Sequence, residues 1–223
     1  MLPVSSLFLS SPSAELIYRG AEADVYSGFW CGRKAVFKYR KQLPYRLEVL
    51  DTAIRSQRTI HESEMIHRAK GAGVSSPLVY FVDLPESVIV MEFVEGTRLK
   101  DLVSSMEPGR AMPLFKRLGL AIASLHAAGI MHGDLTTSNV IVAKRGLVLI
   151  DFGLSVATMR VEDQAVDLRL IKETLTGAHS SMAKEALEAL LDGYAEVRGE
   201  QRQRAVVRQL RDIERRGRYA RVE

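Results

Sequence analysis

The sequence predicts an α+β fold in two lobes, a small strand-rich lobe followed by a reduced, mostly helical one. Three observations predict it. Hydrophobic periodicity changes once along the chain, from short strand-like runs over about the first 100 positions to helical spacing with a single hairpin beyond. The early runs are punctuated by Gly turns, whereas the later apolar residues recur three and four positions apart. The third is composition: 223 residues, 47% hydrophobic and 26% charged, exclude a disordered or fibrous chain and supply a sizeable core. At roughly 150 residues per domain, that length suits one large or two small lobes that could enclose a ligand, without further regulatory domains.

The strand-rich lobe is assigned to residues 1–94. Ile17–Tyr18, Val25–Trp30 and Lys34–Lys38 read as strands of an antiparallel sheet. Leu47–Lys70 reads as a helix stopped by Gly71 and Gly73. On that helix Glu62 shares a face with Met65, Ile66 and Ala69, and Glu64 lies opposite. A carboxylate on a buried stripe needs a partner; the other reading puts Glu62 at the solvent edge of a frayed helix. Val79–Asp83 and Ser87–Met91 read as two more strands, and Glu92–Gly96 as the linker between lobes.

The second lobe, residues 95–197, opens on helices. Leu114, Phe115, Leu118, Ile122 and Leu125 form an apolar stripe that reads as core, closed by Gly129 in the position of a left-handed cap. Val140–Ala143 and Leu147–Ile150 form a hairpin around Lys144-Arg145-Gly146. Leu187, Leu190, Leu191 and Tyr194 mark another helix. Residues 198–223 form a last helix and tail, apolar at Val206, Val207, Leu210 and Ile213 and Arg-rich on the outer face.

Charge is placed unevenly. The net +4 resides in residues 198–223, which hold nine Arg against four acids, while the chain before them has 22 basic and 23 acidic residues. Arg215, Arg216, Arg218 and Arg221 are therefore candidate contacts to a phosphate backbone or a partner, although such blocks also serve as solvated helix faces. The single Cys31 forbids an intramolecular disulfide or a Cys-based zinc cluster, and predicts a reducing, cytoplasmic setting. Apolar runs are strand-sized, far below the roughly 18 residues of a spanning helix, so no membrane segment is predicted. The mildly apolar start, Met1–Leu9, lacks a positive leader and is broken by Pro3 and serines, so it reads as a leading strand or extension rather than a signal peptide.

The chemistry is carried by His132-Gly133-Asp134-Leu135-Thr136-Thr137-Ser138-Asn139, the hairpin, and then Asp151-Phe152-Gly153. The hairpin returns the chain on itself, so Asn139 and Asp151 are expected side by side at one edge of the sheet. Two oxygen ligands there suit a hard cation such as Mg²⁺, which keeps waters and shares ligands with phosphates. Asp134 is then placed to act on a substrate hydroxyl or a water, as base or orienting group. In order and at this spacing, these pieces resemble the catalytic and metal-binding loops of the eukaryotic-like protein-kinase superfamily.

That resemblance implies a bilobal protein-kinase-like fold acting on ATP with Mg²⁺. Lys38, in Ala35-Val36-Phe37-Lys38, takes the place of the family's strand lysine, and Glu62 that of the helix carboxylate that pairs with it. Glu92 and Val94 fall at the interlobe hinge that hydrogen-bonds adenine, with Val25 and Val36 as apolar cover or as plain core. The phosphate loop, Gly20-Ala21-Glu22-Ala23 leading to Val25, keeps one glycine of the usual three. Thr136 stands where ordinary protein kinases have Lys, and Gly133 where they have Arg. Too few residues separate Gly153 from Asp167 for a long activation segment, and no Ala-Pro-Glu follows, so switching by activation-loop phosphorylation is not predicted.

Gly-Ala-Glu-Ala at 20–23, Arg58-Thr59 before Glu62, the 132–139 loop, and Glu162-Asp163 with Asp167-Leu168 together resemble the small atypical kinases of the KEOPS complex. The resemblance runs from about Ile17 to the end and extends to the Arg-rich terminus. It implies Ser/Thr kinase and ATPase activity, a metal-dependent threonylcarbamoyl-transferase subunit and other KEOPS subunits as partners, and tRNA engaged through the complex. It also implies that Asp167 braces the catalytic loop; a plain helix-surface position is the other reading. A small-molecule phosphotransferase of the aminoglycoside or choline kinase type shares the His-Gly-Asp loop but needs a larger acceptor domain than the 84 residues after Asn139. RIO-type kinases share the loop but not Asp-Phe-Gly. A non-catalytic tRNA- or protein-binding scaffold would not need Lys38, Glu62, Asp134, Asn139 and Asp151 together. Deleting Arg218–Glu223 is expected to weaken tRNA-dependent ATP turnover more than basal turnover; equal losses would show that the tail does not track phosphates.

Overall fold

The computed structural model describes residues 14–219; the expectation for Met1–Leu9 and the candidate Arg221 lie outside the described residues. Strands β1 (Glu15–Arg19), β2 (Ala23–Trp30) and β3 (Arg33–Arg40) lead into helix α1 (Glu48–Gly71), then β4 (Val79–Asp83), β5 (Val88–Glu92) and β6 (Gly96–Arg98). Helices α2 (Leu99–Ser104) and α3 (Pro108–Ala127) precede β7 (Ile130–Met131), a 3-10 turn at Thr137–Asn139, β8 (Val140–Ala143), β9 (Gly146–Leu149) and β10 (Val156–Ala157). The chain ends in α4 (Val161–Ala178), a 3-10 turn at Ser180–Met182, α5 (Ala183–Arg198) and α6 (Glu200–Tyr219). No helix among the described residues is long and apolar enough to cross a membrane.

Two compact units result. The first comprises the described residues up to His67 together with Pro77–Val94. Its five strands form an antiparallel sheet in the order β1-β2-β3-β5-β4. Residues directly opposite each other on such a sheet share a face. One face is apolar: Ala35, Phe37, Val88 and Val90 are fully buried against Tyr26, Trp30, Tyr39 and Tyr80. Register puts Val25 opposite Lys38, Val36 opposite Met91 and Lys38 opposite Ile89, so all five belong to the other face. Met65, Ile66 and Ala69 of α1 are buried, and Glu62 is buried with them while Glu64 is exposed. The strand expected from Ser87 begins one residue later because Ser87 turns through a positive φ of 56°, and Glu92 ends β5 rather than opening a linker.

The second unit holds Arg68–Ser76 and everything from Glu95 onward. Its centre is the packing of α3 on α5, where the backbones nearly touch. A Cβ at Gly119 would meet the Leu190 carbonyl oxygen at 1.9 Å, and one at Gly193 would meet that of Lys116 at 2.0 Å. Phe115, Leu118, Ile122 and Leu125 of α3 are buried, as their spacing predicts, and Gly129 takes the left-handed cap at φ 69°.

The hairpin differs from its sequence reading. Ala143 pairs with Gly146, so the turn is the two residues Lys144–Arg145, and Gly146, at φ 109°, already belongs to β9. Shortening the turn shifts the register. Ile150, not Asp151, then lies across from Asn139 and donates its N–H to the Asn139 carbonyl at 2.9 Å. Asp151 falls one residue past the ladder, in a left-handed conformation at φ 64°.

Gly193→Ala should cost about 1–3 kcal/mol through overpacking between α3 and α5. At this chain size that corresponds to a fall in Tm of roughly 2–12 °C, measurable by thermal unfolding; an unchanged Tm would contradict the close approach.

Candidate active site

In the first unit the site is built around Glu62. Strand β3 puts Lys38 and Arg40 on one face, two residues apart, and α1 brings Glu62 to both. Lys38 Nζ donates to Glu62 Oε1 at 2.7 Å, and Arg40 Nη2 donates to Oε2 at 2.5 Å. Glu62 is 1% exposed, so its charge depends on these two cations. Arg40 Nη2 also reaches the Arg58 carbonyl oxygen at 3.3 Å, while the buried Arg40 Nε has no acceptor among the described residues.

The loop at 20–23 is a tight turn closed by Gly20 N–H to the Ala23 carbonyl oxygen at 2.9 Å, with Ala21 at its exposed tip. A Cβ on Gly20 would stand 2.7 Å from that oxygen, which is the local reason for glycine. The Glu22 carboxylate is taken up by Arg46, at 2.9 Å, and by Arg58. Val25 and Val36 are half-buried on the Lys38 face. The Glu92 N–H is used by the Leu78 carbonyl at 2.8 Å, Glu92 Oε2 accepts from the Leu78 N–H at 3.0 Å, and the Phe93 N–H reaches the Lys34 carbonyl at 3.4 Å. That engages the Glu92 and Phe93 amides within the fold.

In the second unit the loop 132–139 hangs from Asp167 on α4. Asp167, fully buried, accepts His132 N–H at 2.7 Å on Oδ2 and Gly133 N–H at 2.8 Å on Oδ1. This settles the two readings of Asp167: it is no surface residue. His126 Nε2 adds a third contact to Oδ2 at 3.1 Å. His132 lies against Phe152 and donates from Nε2 to the Ile150 carbonyl at 3.2 Å, which leaves Nδ1 to accept the Asp134 N–H at 3.3 Å. Burial holds its imidazole below the ordinary pKa, outweighing the opposing pull of Asp167 and Asp151. Ser155 Oγ donates to the His132 carbonyl at 3.1 Å, and Thr137 meets His179 Nε2 at 3.4 Å.

Asp134 is held by Asn139, whose Nδ2 donates to the Asp134 carbonyl at 2.9 Å and to Oδ2 at 2.8 Å. The clamp uses the donor end of the amide and keeps Oδ1, the acceptor end, for a cation. Asp151 Oδ1 accepts the Gly153 N–H at 3.4 Å. Among the described residues no three His, Cys, Asp or Glu side chains form a metal cage. One amide and one carboxylate oxygen do suit Mg²⁺, which retains water and shares phosphate oxygens.

Lys38 meets Glu62 in one unit, and Asn139 meets Asp134 in the other, where Asp151 follows Ile150 one residue past the ladder. The two tail candidates with described side chains, Arg215 and Arg216, do not converge on either. Arg215 pairs with Asp212 and Arg216 with Glu162 at 3.2 Å, both on exposed surface; the Arg218 side chain lies outside the described residues. Sequence reading passed over Arg40, which strand alternation from Lys38 would have found, and His126, which follows the α3 stripe by one helical turn from Ile122.

A family model described as the protein kinase domain matches residues 14–196. The chain is 39% identical to the KEOPS complex subunit Bud32 of Pyrococcus abyssi, over 92% of this chain and 96% of that protein. It is 41% identical to a probable bifunctional tRNA threonylcarbamoyladenosine biosynthesis protein of Methanothermobacter thermautotrophicus, over 92% of this chain but only 36% of that longer protein. Among solved structures, the Rio2 kinase of Chaetomium thermophilum shares the fold at a TM-score of 0.63 and 17% identity, over 95% of this chain and 75% of that one.

The His132 environment gives a pH dependence. Its folded pKa is lowered, so below the unfolded value of about 6.5 the unfolded chain binds a proton that the folded chain resists. Stability is therefore full above that pH and falls as pH drops toward the folded value, with His179 adding in the same direction. Tm is expected to decline as pH falls below about 6.5, and His132→Asn to flatten the decline; an equal slope in the variant would show that His132 does not carry it.

Proposed function

Since the chain belongs to the protein-kinase family, and within it to the Bud32 kinases of the KEOPS complex, we propose that it transfers or hydrolyses the γ-phosphate of Mg-ATP within a KEOPS-like assembly. That assembly supports threonylcarbamoyladenosine formation in tRNA. The observation that carries the catalytic part is the two-point clamp of Asn139 on Asp134, at 2.9 and 2.8 Å, on a loop whose amides Asp167 holds. It fixes a carboxylate where an attacking hydroxyl or water must be aligned, and reserves an amide oxygen for the metal.

The roles follow from chemistry. Lys38, held by Glu62, binds the α- and β-phosphates as a point charge. The backbone of the Gly20–Ala23 turn contributes amide donors, Val25 and Val36 cover the adenine, and Val94 donates at the hinge. Asn139 and Asp151 would hold Mg²⁺, which would neutralise charge on the phosphates. Asp134 orients the acceptor oxygen and takes its proton. A hydroxyl gives protein phosphorylation on Ser or Thr, and a water gives ATP hydrolysis.

The assembly part rests on kinship. A chain that matches all but a little of a KEOPS subunit, and about a third of a bifunctional protein named for tRNA threonylcarbamoyladenosine biosynthesis, suits a kinase subunit whose partner supplies the threonylcarbamoyl transfer. Such a partner is metal-dependent, and tRNA reaches the kinase through the complex.

Two measurements test this. Asp134→Ala should retain nucleotide binding while turnover falls by at least about 100-fold, the scale of a lost acid–base group; undiminished turnover would refute its role. Radiolabelled γ-phosphate should pass from Mg-ATP to protein or to free phosphate in the wild type but not in Asp151→Ala, with bulk tRNA raising the free phosphate. If wild type and variant release label equally, the chain is not an enzyme of this kind.

A further inference from the structure

We propose that Tyr194 is a positioning residue for the phosphoryl-transfer reaction proposed above: through His126 and Asp167, its hydroxyl fixes the catalytic-loop amides and hence Asp134. The inference rests on that functional reading and adds a residue on α5, 60 positions from Asp134 in the chain.

For a neutral imidazole, donor and acceptor counting within the second unit gives the direction of each bond in this relay. Asp167 Oδ2 lies 3.1 Å from His126 Nε2, and a carboxylate oxygen only accepts, so Nε2 carries the proton. In the neutral ring Nδ1 is then a lone pair, and Tyr194 Oη, 3.0 Å away, must donate to it. The phenol is able to do so at any working pH, because burial raises its pKa to about 12. Arg198 and Arg202 pull that pKa the other way, and burial outweighs them. Tyr194, His126 and Asp167 are all fully buried, so no solvent stands in for a missing partner.

The ring is also fixed from behind. Gln164 Nε2 donates to the His126 carbonyl at 3.3 Å, and Arg202 of α6 donates to Gln164 Oε1 from Nε at 3.2 Å and from Nη2 at 2.9 Å. With the backbone of His126 held, the two ring contacts, Nδ1 to Tyr194 and Nε2 to Asp167, set the orientation of the imidazole. Without the tyrosine proton, Nδ1 becomes a buried acceptor with no donor. With that contact gone, nothing on the Nδ1 side holds the ring in the orientation that aims Nε2–H at the carboxylate, so one of the three donors to Asp167 is loosened. The other two donors are the His132 and Gly133 amides at 2.7 and 2.8 Å, so the disturbance falls on the catalytic loop.

The test uses the full chain. Nitrogen–proton correlation spectra of the histidine side chains should show His126 as the Nε2–H tautomer in the wild type, with the signal assigned by its loss in His126→Asn. The Nδ1–H tautomer in the wild type would overturn the inference without recourse to any variant at Tyr194. Tyr194→Phe keeps the ring in the core and deletes the donor. Its kcat for ATP turnover should fall about tenfold, equivalent to roughly 1.4 kcal/mol, with KM for ATP within about twofold of wild type. Combined with His126→Asn it should lose little more than the worse single variant, because the two act through one contact. Wild-type kcat in folded Tyr194→Phe, or additive losses in the double variant, would overturn the positioning role alone. Absence of turnover in the wild type would overturn the functional reading itself.

Discussion

One buried carboxylate organises the second unit. Asp167 is fully enclosed, and a charge in that position is tolerated only when its oxygens are bonded. Two of its donors are backbone amides of the catalytic loop, so the loop cannot drift without leaving an uncompensated charge in the core. The constraint propagates. His132, fixed by its amide, is buried and kept neutral; its Nδ1 accepts the Asp134 N–H and its Nε2 donates to the Ile150 carbonyl. The same residue therefore joins the loop before the hairpin to the strand end after it, immediately before Asp151.

Glu62 poses the same electrostatic problem in the first unit and has a different solution. Instead of amides it has two cations, Lys38 and Arg40, one on each oxygen. A lone lysine–glutamate pair would be neutral. With Arg40 the cluster carries an excess positive charge in a place where burial weakens screening, which favours a polyanion such as a nucleotide phosphate. Arg40 also spares Glu62 from depending on Lys38 alone, so the lysine can share its donors with a ligand without stranding the carboxylate.

The linear sequence revealed what is local and periodic. Glu62 was recognisable as buried because it shares the 3.6-residue stripe of Met65, Ile66 and Ala69, and the strands of the first unit were visible from their alternation. Asp134, Asn139 and Asp151 were recognisable by order and spacing around a hairpin. The register was not. Whether Asn139 faces Ile150 or Asp151 depends on one residue in the turn, and Lys144-Arg145-Gly146 fits a two- or a three-residue connection until Gly146 is seen to pair with Ala143. The contacts of His126 with Tyr194 and Asp167 span 68 and 41 positions, and no periodicity links them. Such contacts arise only when α3 and α5 approach to backbone distance, which Gly119 and Gly193 permit but do not announce.

The departures from ordinary protein kinases can be understood in the same terms. Gly133 sits at φ 81°, where an L side chain is strained, and a Cβ there would stand 2.1 Å from the Leu154 carbonyl oxygen. The segment after Asp-Phe-Gly thus passes directly over the position where relatives with a long activation segment carry arginine. Ser155 Oγ bonds the His132 carbonyl, and β10 then pairs with β7, so this short segment is tied to residues 130–132, immediately before position 133. An arginine at 133 would require the Leu154 backbone to move away and the backbone at 133 to leave its left-handed conformation. Loop order in this chain is accordingly built into the fold by Asp167, Ser155 and the β7–β10 pair, where an arginine-reading kinase would obtain it from a phosphate.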